Sequence, residues 1–285
     1  MSIDRFFIVA NRGKDKEQIF SRQIRAFLQE NGYTCVIAYS DEERSQMRTQ
    51  LRSGQDCLLV LGGDGTVLEA AHLAVGTGTP ILGINLGNLG YLTEVDAPGW
   101  EQAVRSVMDG SYEIESRMML DGFVTDADRH MYPGACGTAL NDIVITRNRG
   151  LQVLYYNIYV DGQFLNRFSA DGVIVSTATG STAYNLSAGG PIVEPKARLI
   201  LLTPISPHTL SSRSMVLSAD DRITIEMVPP RDGKPLCAEC DFDGTRNIGL
   251  SSGDLVNITS AAGTTRLIRL NQRTFLEVLH KKITS

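Results

Sequence analysis

The segment Leu58-Leu59-Val60-Leu61-Gly62-Gly63-Asp64-Gly65-Thr66 constrains this chain more than any other. Four consecutive apolar residues read as a strand, and the two glycines, carboxylate and third glycine that follow end it in a turn. The run Val67 to Ala74 then reads as a helix capped by Thr66. Strand, glycine turn and helix together predict a phosphate cradle. Gly62, Gly63 and Gly65 let the backbone take positive φ and approach a ligand closely, successive N–H groups form a concave anion site, and the helix start adds partial positive charge. Asp64 is the odd member. A carboxylate repels phosphate unless it binds a metal or accepts a proton from a hydroxyl, so its place in the cradle points to phosphoryl chemistry. The blander reading is a Gly-Asp-Gly turn at a strand end.

Strands and helices alternate through the first part of the chain. Arg5 to Ala10 reads as a strand, and Asp15 to Gln29 as a helix with Ile24, Phe27 and Leu28 on one face before the Asn31-Gly32 stop. Tyr33 to Tyr39, Cys57 to Leu61 and Pro80 to Ile84 supply three further strands. This order predicts an α/β N-terminal domain with a doubly wound, mostly parallel sheet, whose ligands lie beyond the carboxyl ends of the strands. Gly62 to Thr66 and the run Asn85 to Tyr91 both begin at such ends, so two glycine-bearing loops are expected to flank one crevice. A helix over Gly99 to Met108 closes at Asp109-Gly110.

Past about residue 115 the texture changes. Tyr155 to Val160 and Gln163 to Phe168 read as two strands around an Asp161-Gly162 hairpin turn, and Arg222 to Val228 alternates with period two. A second domain of mostly antiparallel sheet is the economical reading. The tail, Gln272 to Ile283, carries Phe275, Leu276, Val278 and Leu279 among polar residues and reads as a helix docked on an existing core.

Composition narrows the function classes. The 285 residues suit one large domain or two medium ones, with 42% hydrophobic and 21% charged residues. The longest apolar runs, such as Leu199 to Leu202, fall far short of the roughly 18 residues of a membrane span. Met1 to Ala10 places an acid before a very short apolar stretch, unlike a secretory signal, so a cytoplasmic protein without a membrane partner is expected. A net charge of -5 with no basic run argues against a nucleic-acid surface. Any polyphosphate must then be held by backbone N–H groups, a few local cations and Mg²⁺. The five cysteines are an odd number, and no disulfide framework is expected. Cys237-Ala-Glu-Cys240 has the spacing of half a zinc site or a redox pair, but neither Cys136 nor the four histidines offer a ligand-spaced partner, so no metal-ligating residues are assigned.

A second cluster runs from Ala170-Asp171-Gly172 through Ser176-Thr177-Ala178-Thr179-Gly180-Ser181-Thr182-Ala183-Tyr184-Asn185. It packs five hydroxyls, a glycine and a tyrosine after a short apolar strand. Hydroxyls and small residues allow close approach to a polar ligand, and Tyr184 offers a flat face with a polar tip. Alone it also reads as a Ser/Thr-rich surface loop.

Taken in order, Gly62-Gly63-Asp64-Gly65-Thr66, Asn85 to Tyr91, Asn141-Asp142, Ser176 to Tyr184, Ser187-Ala-Gly-Gly-Pro-Ile192 and Thr203-Pro-Ile-Ser-Pro-His208 with Thr209 to Leu217 after it resemble the NAD kinase family over nearly the whole chain. The hydroxyl-rich motif is the specific part, since diacylglycerol kinases, sphingosine kinases and phosphofructokinases carry Gly-Gly-Asp-Gly in similar form. The resemblance implies transfer of a phosphoryl group from ATP to the 2′-hydroxyl of the adenosine ribose of NAD, with Mg²⁺ or another divalent metal. It implies a β-rich C-terminal domain over 117–266 and a nucleotide-binding domain of 1–116 plus 267–285, the C-terminal segment returning to the first domain. It implies Asp64 as proton acceptor and Gly62, Gly63, Gly65 and Thr66 as phosphate-binding residues. For NAD it implies Asp64, Gly65, Asn141, Asp142, Gln152, Asp171, Thr182, Ala183, Tyr184, Asn185, Leu186 and Ser187, and for the assembly a homodimer or homotetramer.

Some positions depart from the family. Ala178 stands where proline is usual, which loosens that turn, and Asp142 replaces the commoner glutamate with a shorter reach. Ser169 and Gln152 stand where relatives often place basic or imidazole groups, and Ser169 is left out of the site. Tyr91 reads either as a stacking residue or as plain packing, and His208 as structural. Two other classes compete with the kinase. A lipid kinase of the Gly-Gly-Asp-Gly type would need an apolar acyl entrance, of which no basic amphipathic stretch gives a sign. A non-catalytic dinucleotide sensor would have no use for Asp64.

Overall fold

A computed structural model of the chain describes residues 3–88, 90–148, 153–208, 213–230, 236–270 and 273–284. The chain divides into two units, Met1–Arg117 with Gly263–Ser285, and Met118–Ala262. In the first, the apolar run forms the middle of β3 (Asp56–Gly62), buried at every residue as a strand covered on both faces must be. It lies between β1 (Arg5–Ala10) and β4 (Ile81–Asn85), with β2 (Thr34–Ala38) outside β1. All three pairings are parallel. The spatial order β2-β1-β3-β4 reverses between β1 and β3, the switch point at which a doubly wound sheet opens a crevice. The two-residue strand β5 (Val95–Asp96) pairs with the end of β4.

Helices α1 (Ile19–Glu30) and α4 (Trp100–Met108) share one core with alternate residues of the sheet: Ile24 and Leu28 meet Phe6, Ile8, Leu59 and Ile84, and Phe27 packs edge-on against Trp100. Each such side chain contributes about 1.5–3 kcal/mol of burial. Helices α2 (Asp41–Gln50) and α3 (Asp64–Ala74) are tied by the Arg44–Glu69 ion pair at 2.7 Å.

Three readings of this unit need correction. The helix expected from Asp15 starts at Ile19, because Glu17 and Gln18 take left-handed φ of 55° and 60°. The Asp15 carboxylate then accepts the N–H groups of Phe20 and Ser21, two donors that the first turn leaves free. Helix α2 was not anticipated, although Ser40 and Glu43 form a capping box at its start, a signal present in the sequence. The tail is helical as α6 (Phe275–Thr284), but Leu276 is exposed and only Val278 is fully buried; Gln272 lies outside the described residues.

The chain passes into the second unit along β6 (Glu113–Thr125) and returns along β17 (Leu255–Arg269). Between them run β7 (Met131–Ala139), β8 (Asp142–Arg147), β9 (Leu154–Val160), β10 (Gln163–Ala170), β11 (Gly172–Thr177), the one-turn helix α5 (Tyr184–Ser187), β12 (Leu199–Ile205), β13 (Met215–Ser218), β14 (Ile223–Val228), β15 (Ala238–Phe242) and β16 (Arg246–Leu250). One sheet has the order β13-β12-β11-β8-β15-β16, with every pairing antiparallel. The other runs β10-β9-β14 to the first part of β17, also antiparallel. Asp161 and Gly162 turn the β9-β10 hairpin with φ of 50° and 77°, the positive pair that a two-residue hairpin needs. A single core takes Ile143, Ile145, Val173 and Val175 from the first sheet and Tyr156, Ile158, Ile223 and Ile225 from the second.

Candidate active site

In the first unit the three loops at the carboxyl ends of β1, β3 and β4 are joined by backbone. Asn11 N–H donates to the Leu61 carbonyl at 2.9 Å, and Leu86 N–H donates to the Gly62 carbonyl at 3.0 Å. Gly63 caps α3, which begins at Asp64 rather than after Thr66; the N–H groups of Thr66 and Val67 both point to the Gly63 carbonyl. Thr66 therefore sits inside the first turn, and its side chain caps nothing. None of Gly62, Gly63 and Gly65 has positive φ. Their lack of side chain serves approach instead. A Cβ on Gly62 would collide with the Thr66 side chain, whereas one on the exposed Gly65 would meet open space. With the free N–H groups of a helix start, that bare surface is where an anion can come closest.

Asp64 is half-buried, and its carboxylate is held by the β4 loop. Oδ2 accepts Tyr91 N–H at 2.8 Å and Oδ1 accepts Leu92 N–H at 2.9 Å. A Cβ on Gly90 would strike the carboxylate, so the loop folds over it at its one bare position. An ionised carboxylate offers about four acceptor sites, and two are filled here, which leaves capacity for a hydroxyl proton. The Tyr91 ring is used for packing. It lies 6.1 Å from the Phe275 ring, with the Lys282 ammonium 4.7 Å from its centroid. Lys14, on the loop after β1, extends over the same turn: its Nζ is 2.8 Å from where a Cβ on Gly63 would stand. The sequence reading missed Lys14, since a lone lysine in a loop carries no periodic signal.

In the second unit Asn141 and Asp142 stand at the start of β8. Their backbone is fixed by Asp243, whose carboxylate accepts N–H from Leu140 at 2.6 Å, Asn141 at 2.8 Å and Asp142 at 3.0 Å. Asp243 was also missed. Asp243-Gly244 is legible as a β-turn, and both residues have positive φ, but nothing local says that the carboxylate reaches back across the sequence. The Asn141 carboxamide has no hydrogen-bond partner among the described residues. Asp142 is buried with Oδ2 unpartnered; burial, then the charges of Asp243 and Asp241, push its carboxyl up to about 7.

Three hydroxyls of the cluster are turned inward, while Thr182 is half-exposed. Ser176 Oγ donates to the Asn141 carbonyl at 3.1 Å, Thr177 Oγ1 to the Leu140 carbonyl at 2.6 Å, and Ser181 Oγ to the Val193 carbonyl at 3.2 Å. A Cβ on Gly180 would run into the Asn141 carbonyl. The cluster thus buttresses the Asn141-Asp142 turn. Asn185 is buried, donating to the Ser181 and Pro191 carbonyls and accepting from Thr203 Oγ1 at 2.7 Å. Its neighbours face out: Thr182 and Ala183 are half-exposed, and Tyr184, Leu186 and Ser187 exposed. Asp171 is paired with the Arg147 guanidinium through both carboxylate oxygens at 3.0 Å. Gln152 lies outside the described residues. His208 N–H bonds the Ser169 carbonyl. Cys240 is buried, and desolvation pushes its thiol up to about 12, which makes it inert near neutral pH.

Known proteins resemble the chain in sequence and in fold. The model of the ATP-NAD kinase N-terminal domain matches residues 6–112, and that of the ATP-NAD kinase C-terminal domain matches residues 140–270. The NAD kinase of Lachnospira eligens is 40% identical over 296 residues, spanning 98% of this chain and 99% of that protein. The NAD kinase of Agathobacter rectalis is 42% identical over 284 residues, 98% of each. In fold, the chain is similar to a yeast NADH kinase complexed with NADH (TM-score 0.88, 23% identity, 99% of this chain and 88% of that one). It is also similar to an NAD kinase from Archaeoglobus fulgidus in complex with ATP (TM-score 0.76, 23% identity, 98% of both). The chain belongs to the ATP-NAD kinase family.

Proposed function

We infer that the chain transfers the terminal phosphoryl group of ATP to the 2′-hydroxyl of the adenosine ribose of NAD, forming NADP. One observation carries the reading: a carboxylate with spare acceptor capacity, Asp64, begins the helix that follows a bare glycine turn. Asp64 orients the 2′-hydroxyl and takes its proton as the bond to phosphorus forms and the bond to the departing ADP oxygen breaks. The N–H groups at Gly63, Asp64 and Gly65 face the phosphates, with Gly62 and Thr66 shaping the turn from beneath. Asn141, Asp142, Asp171, the half-exposed Thr182 and Ala183, and the exposed Tyr184, Leu186 and Ser187 are assigned to the dinucleotide, as is Gln152; Asn185 acts by holding that segment in place. Residues 1–116 with 267–285 form the nucleotide-binding domain in this reading, and 117–266 the NAD-binding domain.

Among the described residues no group of three or more His, Cys, Asp and Glu side chains could hold a metal ion. Mg²⁺ would arrive with the phosphoryl donor, and Asp64, the carboxylate at the start of α3, is the residue that would meet it. When bound, Mg²⁺ neutralises charge on the phosphates. A cytoplasmic location belongs to the same reading; among the described residues no helix is long and apolar enough to cross a membrane. A homodimer or homotetramer belongs to the same reading.

The test is NADP formation from NAD, ATP and Mg²⁺, read with an NADP-specific dehydrogenase, for the wild type and Asp64→Ala. The variant is expected to bind NAD and to lose about 10²–10⁴-fold in kcat. Unchanged turnover would remove Asp64 from its role, and NAD binding without NADP from the wild type would make the chain a sensor.

A further inference from the structure

We propose that Lys14 binds the polyphosphate of the phosphoryl donor, as a cation that the loop after β1 holds over the glycine turn. The proposal rests on the kinase reading above and names the residue that meets the donor's charge. With Nζ 2.8 Å from the Cβ position of Gly63 and 3.3 Å from that of Gly87, the ammonium occupies the space that side chains at these two residues would fill. It therefore lies over both glycine loops at once, across the β1/β3 switch point where such a sheet takes its ligands.

The loop that carries Lys14 is fixed at both ends. Asn11 Oδ1 accepts N–H from Gly13 at 3.0 Å and from Lys14 at 3.2 Å, and the Asn11 carbonyl accepts N–H from Lys14 at 3.0 Å and from Asp15 at 2.8 Å. Asp15 is buried and anchors the start of α1. Two neighbouring cations are engaged: the Arg12 guanidinium lies 5.6 Å from the centre of the Tyr39 ring, and Arg44 pairs with Glu69. Lys14 pairs with no carboxylate among the described residues. In a chain of net charge -5, an ammonium left unpaired beside a helix start is a place for an anion.

Two polyphosphates enter the reaction, the triphosphate of the donor and the pyrophosphate of NAD, and chemistry selects between them. The phosphorus that must come against Asp64 is the one transferred. The pyrophosphate of NAD hangs from the 5′ carbon, across the ribose ring from the 2′-hydroxyl. Lys14 covers Gly63, the residue next to Asp64, and so meets the donor.

The experiment uses the full chain with Lys14→Gln and Lys14→Arg. The KM for ATP is measured at saturating NAD, the KM for NAD at saturating ATP, and ATP binding by calorimetry without NAD. Lys14→Gln is expected to weaken ATP binding and raise its KM by about tenfold or more, with the KM for NAD within about twofold and the melting temperature unchanged. Lys14→Arg keeps the charge and is expected to recover most of the loss. An unchanged affinity for ATP, an effect confined to NAD, or a loss that arginine does not relieve would overturn the proposal. A wild type that binds ATP without making NADP would overturn the kinase reading alone, since the calorimetric comparison still tests Lys14.

Discussion

Asp142 carries a charge problem that predicts its behaviour. Its carboxyl is raised from the usual carboxylate range to about 7 by burial and by the neighbouring Asp243 and Asp241. A raised pKa in the folded state means that the protonated form is favoured there, so its stabilising contribution is complete below about pH 4 and fades as pH rises through 7. Between pH 5 and 8 the wild type is therefore expected to lose melting temperature relative to Asp142→Asn, whose profile over this window is flatter. Glu115 does not interfere. Burial pushes its carboxyl up, but Arg117 and Arg269 bring it down to about 2, so its contribution is lost only as pH falls below the ordinary glutamate range. Matching wild-type and variant profiles between pH 5 and 8 would show that Asp142 is ionised in the folded protein.

The β4 loop acts as one element on the Asp64 carboxylate, the proposed base. Its backbone donates twice to Asp64, and it can do so because residue 90 has no side chain. Gly90→Ala forces the carboxylate off the Tyr91 and Leu92 N–H groups while leaving the parallel sheet intact. The expected result is a fall in kcat of up to about 10²-fold, the scale of an ångström misplacement, with NAD and ATP binding nearly retained. A wild-type kcat in this variant would mean that the loop does not set the position of the base. In the second unit the hydroxyl cluster and Asp243 serve the Asn141-Asp142 turn in the same supporting way.

At the scale of the molecule, the first unit is not contiguous in sequence. Its core includes Ile268 from the end of β17, and Leu267, also buried, pairs with Ile81 of β4. Arg269 donates to Glu94, a carboxylate only 2% exposed, at 3.0 Å. A chain ending at residue 262 would leave Glu94 buried without its partner, a loss of about 3–5 kcal/mol out of a typical total of 5–15. Such a chain is expected to lose amide hydrogen-exchange protection in Arg5–Ala10 and Ile81–Asn85 but to keep it in Asp142–Arg147 and Gly172–Thr177. Full protection throughout would mean that the returning segment is dispensable.

Local patterns settled much about this protein. The apolar run ending in glycine is a buried strand and a turn, and Asp161-Gly162 between alternating residues is a hairpin. Those features depend on neighbours in sequence, so φ preferences and periodicity suffice to read them. Other features depend on what the fold brings together from afar. Gly62 is required by the Thr66 side chain and Gly63 leaves the room that the Lys14 ammonium takes, neither through positive φ, and the hydroxyls of Ser176, Thr177 and Ser181 are spent on carbonyls of residues 141, 140 and 193. Asp243 reaches the backbone of a turn about a hundred positions earlier. A side chain's type announces that it will find a partner, because a buried polar group cannot go without one; which partner it finds is decided only when the sheets close.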